Sequence, residues 1–257
     1  VSPFILSRTK KQVLKDLPDK VEKDMWLNLS PDEKQLYLAN LAQVNEQLQE
    51  QLKLEQVDSI LIIAMMTRLR QICCEPRMLY ENYQGESTKF TMCLDLIETL
   101  KENGKKVLLF SSFTSIFDSF IEEFNHRGIK YHMITGAVDK KKRKEEVDAF
   151  QSDDSDVFLI SLKAGGTGLN LTKAQAVIHF DPWWNVSAQN QATDRAYRIG
   201  QTKNVLVYQL LMKNTIEEKI YEMQKRKKEM SDVFVENSKG GIASLSKEEL
   251  KDLFSME

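Results

Sequence analysis

The sequence predicts an α/β fold, a parallel sheet with helices on both faces, to which a helical hairpin and a last helix are added. Three observations predict it. From Ser87 to Leu211 short apolar runs alternate with helical periods, the pattern of a parallel sheet covered on both sides. Before Ser87 two helical patterns lie close together with no strand signal between them. After Asn214 a fresh helix start opens at Thr215, with Glu218 placed three positions on as a capping box requires.

Residues 1–29, with Pro3 and Pro18, read as an irregular connector. The stretch SPDE then offers a helix start. Ser30 is the N-cap, Pro31 takes the first helical position and Glu33 closes a capping box. Tyr37, Leu41, Val44, Leu48 and Leu52 follow at helical spacing and mark one amphipathic face. A more apolar helix runs from Ser59 to Cys74 and ends before Pro76. The pair makes a hairpin within 30–85, closed by the polar loop ENYQGEST.

In the α/β body, 86–213, helix TMCLDLIETLKE leads to strand KVLLFSS and helix SIFDSFIEEFNHRG to strand KYHMIT. The basic helix DKKKRKEEVDAFQ leads to strand DVFLISL. Strand AVIHFD, a helix running through Arg198 and strand VLVYQLL complete the sheet. In the closing segment, 214–257, Ile216, Ile220, Met223, Met230 and Phe234 line one helical stripe. ENSKGG breaks that helix, and SKEELKDLF starts a short terminal one.

Composition sets outer limits. Of 257 residues, 42% are hydrophobic and 29% charged, enough apolar material for a core and against global disorder. Thirty-six basic against 38 acidic residues leave a net charge of −2, so local patches decide any affinity for nucleic acid. Cys73, Cys74 and Cys93 sit in apolar helical surroundings without metal spacing and are expected reduced and buried. His126, His132 and His179 are scattered, so no metal site is expected. The longest apolar run, Ile60 to Met66, is too short to span a bilayer, and no signal peptide is evident. The chain opens mid-pattern at Val1 and is expected to be a piece of a longer protein.

In open α/β sheets ligands collect beyond the carboxyl ends of strands, and several polar turns fall there. SLKAGGTGLNLT, Ser161 to Thr172, follows a strand. Gly165, Gly166 and Gly168 let the backbone approach a ligand, with Lys163 and Thr167 as side-chain donors, or else make a flexible loop. FSSFTS offers the hydroxyls of Ser111, Ser112 and Thr114 to a ligand or to ordinary helix capping. ITGAVDKKKR offers Gly136 and the basic run Lys140 to Lys144, which also suits a solvated helix face. FDPWWN places Trp183 and Trp184 after a strand, for a partner surface or for packing. In NQATDRAYRIGQT, helical spacing puts Gln191, Arg195 and Arg198 on one face, two guanidiniums beside an amide, suited to a polyanion. Yet the chain has no cradle for one. G-x-x-x-x-G-K-[ST] is absent, for the one Gly-Lys pair, Gly104–Lys105, has Thr99 and Lys106 at the other required positions.

Together these segments resemble the C-terminal RecA-like lobe of the Swi/Snf family of ATP-dependent DNA translocases, a branch of the superfamily-two helicases. The resemblance covers nearly the whole chain. PFILSRTKKQVLKDLPDKVE is similar to the link between lobes, KVLLFSSFT to motif IV, LISLKAGGTGLNLT to motif V, QATDRAYRIGQ to motif VI and TIEEKIYEMQKRK to the brace helix. Ser7, Val186 and Asn214 depart from the usual arginine, proline and glycine. The string WWNVSAQNQATDRA resembles bacterial members, which points away from nucleosomes.

The resemblance implies half of a split ATP site. Arg195 and Arg198 would be arginine fingers, Gln191 would orient them, and Gly168 and Asn170 would lie near the nucleotide. ATP and Mg2+ would be held mainly by an N-terminal RecA-like lobe of the same protein, so this chain alone would be inactive. Ser111, Gly136, Arg143, Lys163 and Thr167 would contact the phosphates of double-stranded DNA, and Trp183 and Trp184 would couple nucleotide state to DNA grip. Residues 30–85 match the family's helical insertion. The site of action would be cytoplasmic and nucleoid-associated in a bacterium, nuclear in a eukaryote. The alternatives are a lobe of an RNA or strand-separating helicase, or a non-enzymatic scaffold that binds nucleic acid.

Overall fold

The structure, a computed structural model, describes residues 17–165, 169–183, 185–233 and 245–255, without the side chains of 163, 165 and 227–233. Its strands are β1 (Lys20–Leu27), β2 (Lys106–Ser111), β3 (Tyr131–Ile134), β4 (Val157–Ser161), β5 (Ala174–His179) and β6 (Val205–Met212). They form one parallel sheet in the order β1-β6-β5-β2-β4-β3. The helices are α1 (Pro31–Lys53), α2 (Ser59–Cys74), α3 (Thr88–Glu102), α4 (Ile116–Arg127), α5 (Lys140–Ser152), α6 (Leu162–Gly165), α7 (Val186–Thr193), α8 (Ile216–Val233) and α9 (Lys247–Leu253).

Apolar residues on both faces of the central strands explain their unbroken hydrophobic runs. Val107, Leu109, Leu159 and Ile178 pack with Phe90 of α3 and Phe117 and Phe120 of α4. Their neighbours Leu108, Phe110, Phe158 and Val177 face the other way, with Phe150 of α5 and Ala192 of α7. A third cluster joins the hairpin to the end of the chain. Tyr37, Leu41, Val44 and Leu48 pack with Leu69 and Ile72, with Ile216 and Ile220 of α8 and with Leu253 of α9. Each such side chain contributes roughly 1.5–3 kcal/mol through burial.

The hairpin follows its local signals. Ser30 Oγ accepts the Glu33 N–H at 3.2 Å and Glu33 accepts the Ser30 N–H at 2.8 Å. Glu33 also takes the Thr88 hydroxyl at 2.7 Å, which ties the start of α1 to the start of α3. The terminal helix has its own box, from Ser246 and Glu249. The three cysteines are free and buried. Among the described residues no helix is long and apolar enough to cross a membrane.

Two expectations give way. Residues 20–27 are not irregular: they form β1, in register with β6 from Lys20↔Val205 to Leu27↔Met212. Its first five residues are exposed, so the stretch reads locally as a charged linker. Its charges suit an edge strand, where they discourage further pairing. At the start of α8 the capping pattern is shifted. Glu218 accepts the Asn214 N–H at 2.6 Å, while Thr215 Oγ1 accepts the Glu217 N–H at 3.2 Å. Asn214 has φ 54°, a left-handed conformation that asparagine tolerates better than most side chains. That conformation fits Asn214 to a position where the resemblance led one to expect glycine. Of the α8 stripe, Ile216 and Ile220 are buried and Met223 packs beside them, while the Met230 side chain and Phe234 lie outside the described residues.

On β3, His132 is held between two carboxylates, one within α5 and one at its C-cap. Its Nδ1 lies 2.7 Å from Glu146 Oε2 and its Nε2 lies 2.7 Å from Asp153 Oδ2. Burial alone would lower the imidazole pKa, but the hydrogen bonds to Asp153 and Glu146 outweigh it and raise it. Lys106 lies 3.4 Å from the same Asp153, and the rings of Phe150 and Phe158 face the imidazole edge-on. With the folded pKa above the unfolded one, the stabilisation is full below about 6.5 and is lost as pH rises through the folded value. His132→Asn is therefore expected to cost about 1–3 kcal/mol at pH 6 and clearly less at pH 9, read as the difference from wild type in denaturant unfolding. An equal cost at both pH values would show that the imidazole acts there by packing alone.

Candidate functional site

The parallel order brings the C-terminal ends of all six strands to one side of the sheet. There β2 sends the chain toward β3, whereas its neighbour β5 sends it the other way, toward β6. Such a switch point opens a crevice.

The arginine segment is a braced turn rather than a continuous helix. Helix α7 is capped by Asn185, which accepts the Ala188 N–H at 3.2 Å, and it stops at Thr193. Thr193 is buried and meets His179 Nε2 at 2.9 Å. Beyond it the Ala196 and Tyr197 N–H groups both return to the Thr193 carbonyl, which winds the chain into a turn. The Arg195 carbonyl accepts the Leu171 N–H at 3.0 Å, fastening the turn to the segment after β4. Gln201 holds the far end, donating to the carbonyls of Ala174 at 2.9 Å and Ala196 at 3.2 Å. Gly200 has φ 99°, a conformation side chains rarely adopt.

The expected single helical face of Gln191, Arg195 and Arg198 is thus corrected. Gln191 is exposed on α7 and reaches back toward Ser187 at 3.5 Å, while both arginines lie on the turn. They are half-buried and near each other. Burial, and then the neighbouring Arg198 guanidinium, lower the Arg195 pKa, although a guanidinium keeps its charge. Arg198 Nη1 donates to the Leu169 carbonyl at 3.2 Å, beside exposed Asn170. Gly168 and Thr167 lie outside the described residues, as do the Lys163 side chain and Trp184.

Ser111 is the clearest correction. It is fully buried at the end of β2 and donates its hydroxyl to Asp181 Oδ1 at 2.7 Å, so it faces no ligand. Two adjacent serines at a strand end carry no signal of which one turns inward. Gly136 lies in an exposed turn after β3, and a Cβ there would meet nothing within 4 Å. Arg143, half-buried in the first turn of α5, donates to the Val138 carbonyl at 3.2 Å. Trp183 is half-buried against the core under α7, and its carbonyl accepts a hydrogen bond from Gln224 of α8.

The family model for the helicase conserved C-terminal domain matches residues 88–200, and the SNF2-related domain matches residues 1–78. A Sulfolobus solfataricus SWI2/SNF2 ATPase core, solved in complex with dsDNA, superimposes with a TM-score of 0.77 at 32% identity. The match covers 100% of this chain and 55% of that one. The chain belongs to the Swi2/Snf2 family. The C-terminal domain of a Sulfolobus solfataricus SWI2/SNF2 ATPase matches over its full length and 93% of this chain, with TM-score 0.75 and 26% identity. The six-stranded sheet of this Swi2/Snf2 chain is accordingly RecA-like. An uncharacterized ATP-dependent helicase of Mycoplasma pneumoniae is 40% identical over 257 residues, which is 98% of this chain and 24% of the relative. The chain thus spans about a quarter of that relative's length.

Several residues of this Swi2/Snf2 lobe carried no functional signal in sequence. Gln201 is a buried amide whose partners lie on another segment. His179 is buried, and burial lowers its pKa to about 4, so its ring is neutral at pH 7. Asp181 and its partner Arg70 are 111 positions apart and meet only through the fold.

Proposed function

We propose that this Swi2/Snf2 chain is the second motor lobe of an ATP-dependent translocase on double-stranded DNA. The observation that carries the reading is the Arg195–Arg198 turn, whose half-buried guanidiniums feel each other's charge and whose backbone is fastened to a neighbouring loop. Bringing like charges together costs free energy, and a multiply charged phosphate would offset it. Facing ATP across a cleft, the two arginines would neutralise the charge that grows on the transferred phosphoryl group, an effect of roughly 10³–10⁵ in rate where such fingers are known. Gly168 and Asn170 would lie near the nucleotide, and Gln191 would border the arginines.

The phosphate loop and the metal-holding acids would stand on an N-terminal RecA-like lobe of the same protein. Among the described residues no cluster of three His, Cys, Asp or Glu side chains is placed to hold a metal ion, so Mg2+ is assigned to no residue here. Residues 1–29 would link the lobes, β1 included, 30–85 would be the insertion, 86–213 the lobe proper and 214–257 the brace and tail. Gly136, Arg143, Lys163 and Thr167 would follow one DNA strand's phosphates, contacts that are salt-sensitive and blind to sequence. Trp183 and Trp184 would relay nucleotide state to that grip. In a bacterial cell this activity would belong to the cytoplasm, on the nucleoid.

The test uses the full-length protein, with the 257-residue chain beside it. The full-length protein is expected to hydrolyse ATP faster with duplex DNA and to displace a third strand from a triplex without separating the duplex. The chain alone is expected to release no phosphate, because positioning and charge neutralisation act together. Strand separation would move the reading to a helicase proper, and turnover by the chain alone would end the split-site reading.

A further inference from the structure

We infer that Arg70 of α2 is a positioning residue: it carries the insertion hairpin's grip onto the loop that bears Trp183 and so sets DNA stimulation of ATP turnover. The inference rests on the motor reading above. Arg70 Nη2 donates to Asp181 Oδ2 at 2.6 Å, to Ser112 Oγ at 2.9 Å and to the Pro182 carbonyl at 2.9 Å. Its guanidinium lies 5.0 Å from the Phe113 ring centroid. A single side chain from the hairpin thus holds both loops of the switch point, the one after β2 and the one after β5.

Asp181 is the hub between them. It is fully buried and accepts the Ser111 hydroxyl at 2.7 Å, the Ser112 N–H at 3.0 Å and the Ser112 hydroxyl, besides Arg70. A buried carboxylate needs such a shell, and Arg70 supplies its positive charge. On the opposite side the loop is held by Gln224 of α8 through the Trp183 carbonyl. The Trp183 segment is therefore suspended between hairpin and brace helix, and a shift of either moves it.

The guanidinium is used unevenly. Nη2 serves three acceptors, while Nε, also buried, has no partner among the described residues. A side chain serving only stability would be expected to satisfy both nitrogens. The unused donor leaves a second set of bonds open to Arg70 if the loop moves during the motor cycle.

The experiment compares Arg70→Lys and Arg70→Gln in the full-length protein. Lysine keeps the charge, but its ammonium ends one bond short of Nη2, so from α2 it cannot reach all three acceptors. DNA-stimulated kcat is expected to fall roughly 10–100-fold, the scale set by small misplacement at a distance. DNA-free turnover and the KM for ATP should stay at wild-type values, with Lys losing less than Gln. Amide hydrogen exchange of the loop that bears Trp183 should be faster in the Arg70→Lys protein. Unchanged stimulation and exchange in folded Arg70→Lys would overturn the inference. DNA-free and stimulated rates falling in step would do the same, since lost stability has that signature. Should wild type show no DNA stimulation at all, the motor reading falls and this one with it.

Discussion

Replacing Arg195 or Arg198 with alanine in the full-length protein is expected to lower DNA-stimulated kcat at least about 100-fold, while ATP binding weakens far less. The asymmetry follows from where each interaction is made. A guanidinium aimed at the γ-phosphate is worth most when charge has spread over the equatorial oxygens, so its loss falls on the transition state. A hundredfold loss equals about 2.7 kcal/mol, in reach of one charge-assisted contact in a water-poor cleft. Because the two arginines would act on one charge, the double variant should lose less than the product of the single losses. Arg198 also braces the Leu169 carbonyl, so Arg198→Lys serves as a control for charge without the fork. Near-normal turnover in both alanine variants, with nucleotide bound, would remove the fingers from this turn.

Breaking the Lys89–Glu217 pair is expected to cost about 3–5 kcal/mol of stability, the largest single effect we anticipate on the fold. Both side chains have 0% exposure. Lys89 opens α3 and Glu217 opens α8, so the pair joins the sheet's covering layer to the closing helix. Burial raises the Glu217 pKa and the Lys89 ammonium pulls it back; for Lys89, burial lowers the pKa and the Glu217 carboxylate more than offsets it. Desolvation thus favours a neutral Glu217 and pairing a charged one. Pairing decides, because a neutral Glu217 would leave the ammonium buried alone. Glu217 also accepts the Met212 N–H at 3.0 Å, and Lys89 lies 5.7 Å from the Phe180 ring centroid. Glu217→Leu strands the ammonium and Lys89→Met strands the carboxylate, whereas the two together remove both charges and should recover most of the loss. Denaturant unfolding of the four proteins closes the cycle. Single variants within about 1 kcal/mol of wild type would mean that water reaches the pair.

What the sequence revealed tracks the range of the interactions involved. The limits of α2 and the Ser30 capping box were readable because their signals lie within a few residues: Asp58 caps α2, and Pro76 stands just after it. The central strands were readable because burial on both faces writes itself as an unbroken apolar run. Strand β1 was not, since its ladder partner lies 185 positions away and its outer half is charged. The end of α7 was hidden for a related reason. Helical spacing continues through Arg198, but the Arg195 carbonyl is claimed by Leu171, and Gln201 pins the chain from the far side. The arginines themselves stood out because two guanidiniums three positions apart beside an amide are a local signal for a polyanion. Arg70, by contrast, looks in sequence like one of several polar residues in an apolar helix, and only its bonds to Asp181, Ser112 and Pro182 reveal more.

The pairing of β1 with β6 has a mechanical side. The strands run parallel over eight registered residues, the chain entering at one end of the ladder and leaving for α8 at the other. Tension applied between the segment before β1 and the segment after β6 would therefore drag the strands past each other instead of peeling them apart. In that shear geometry the rungs share the force and must yield together. A load across this sheet would then meet eight rungs at once where β1 lies along β6.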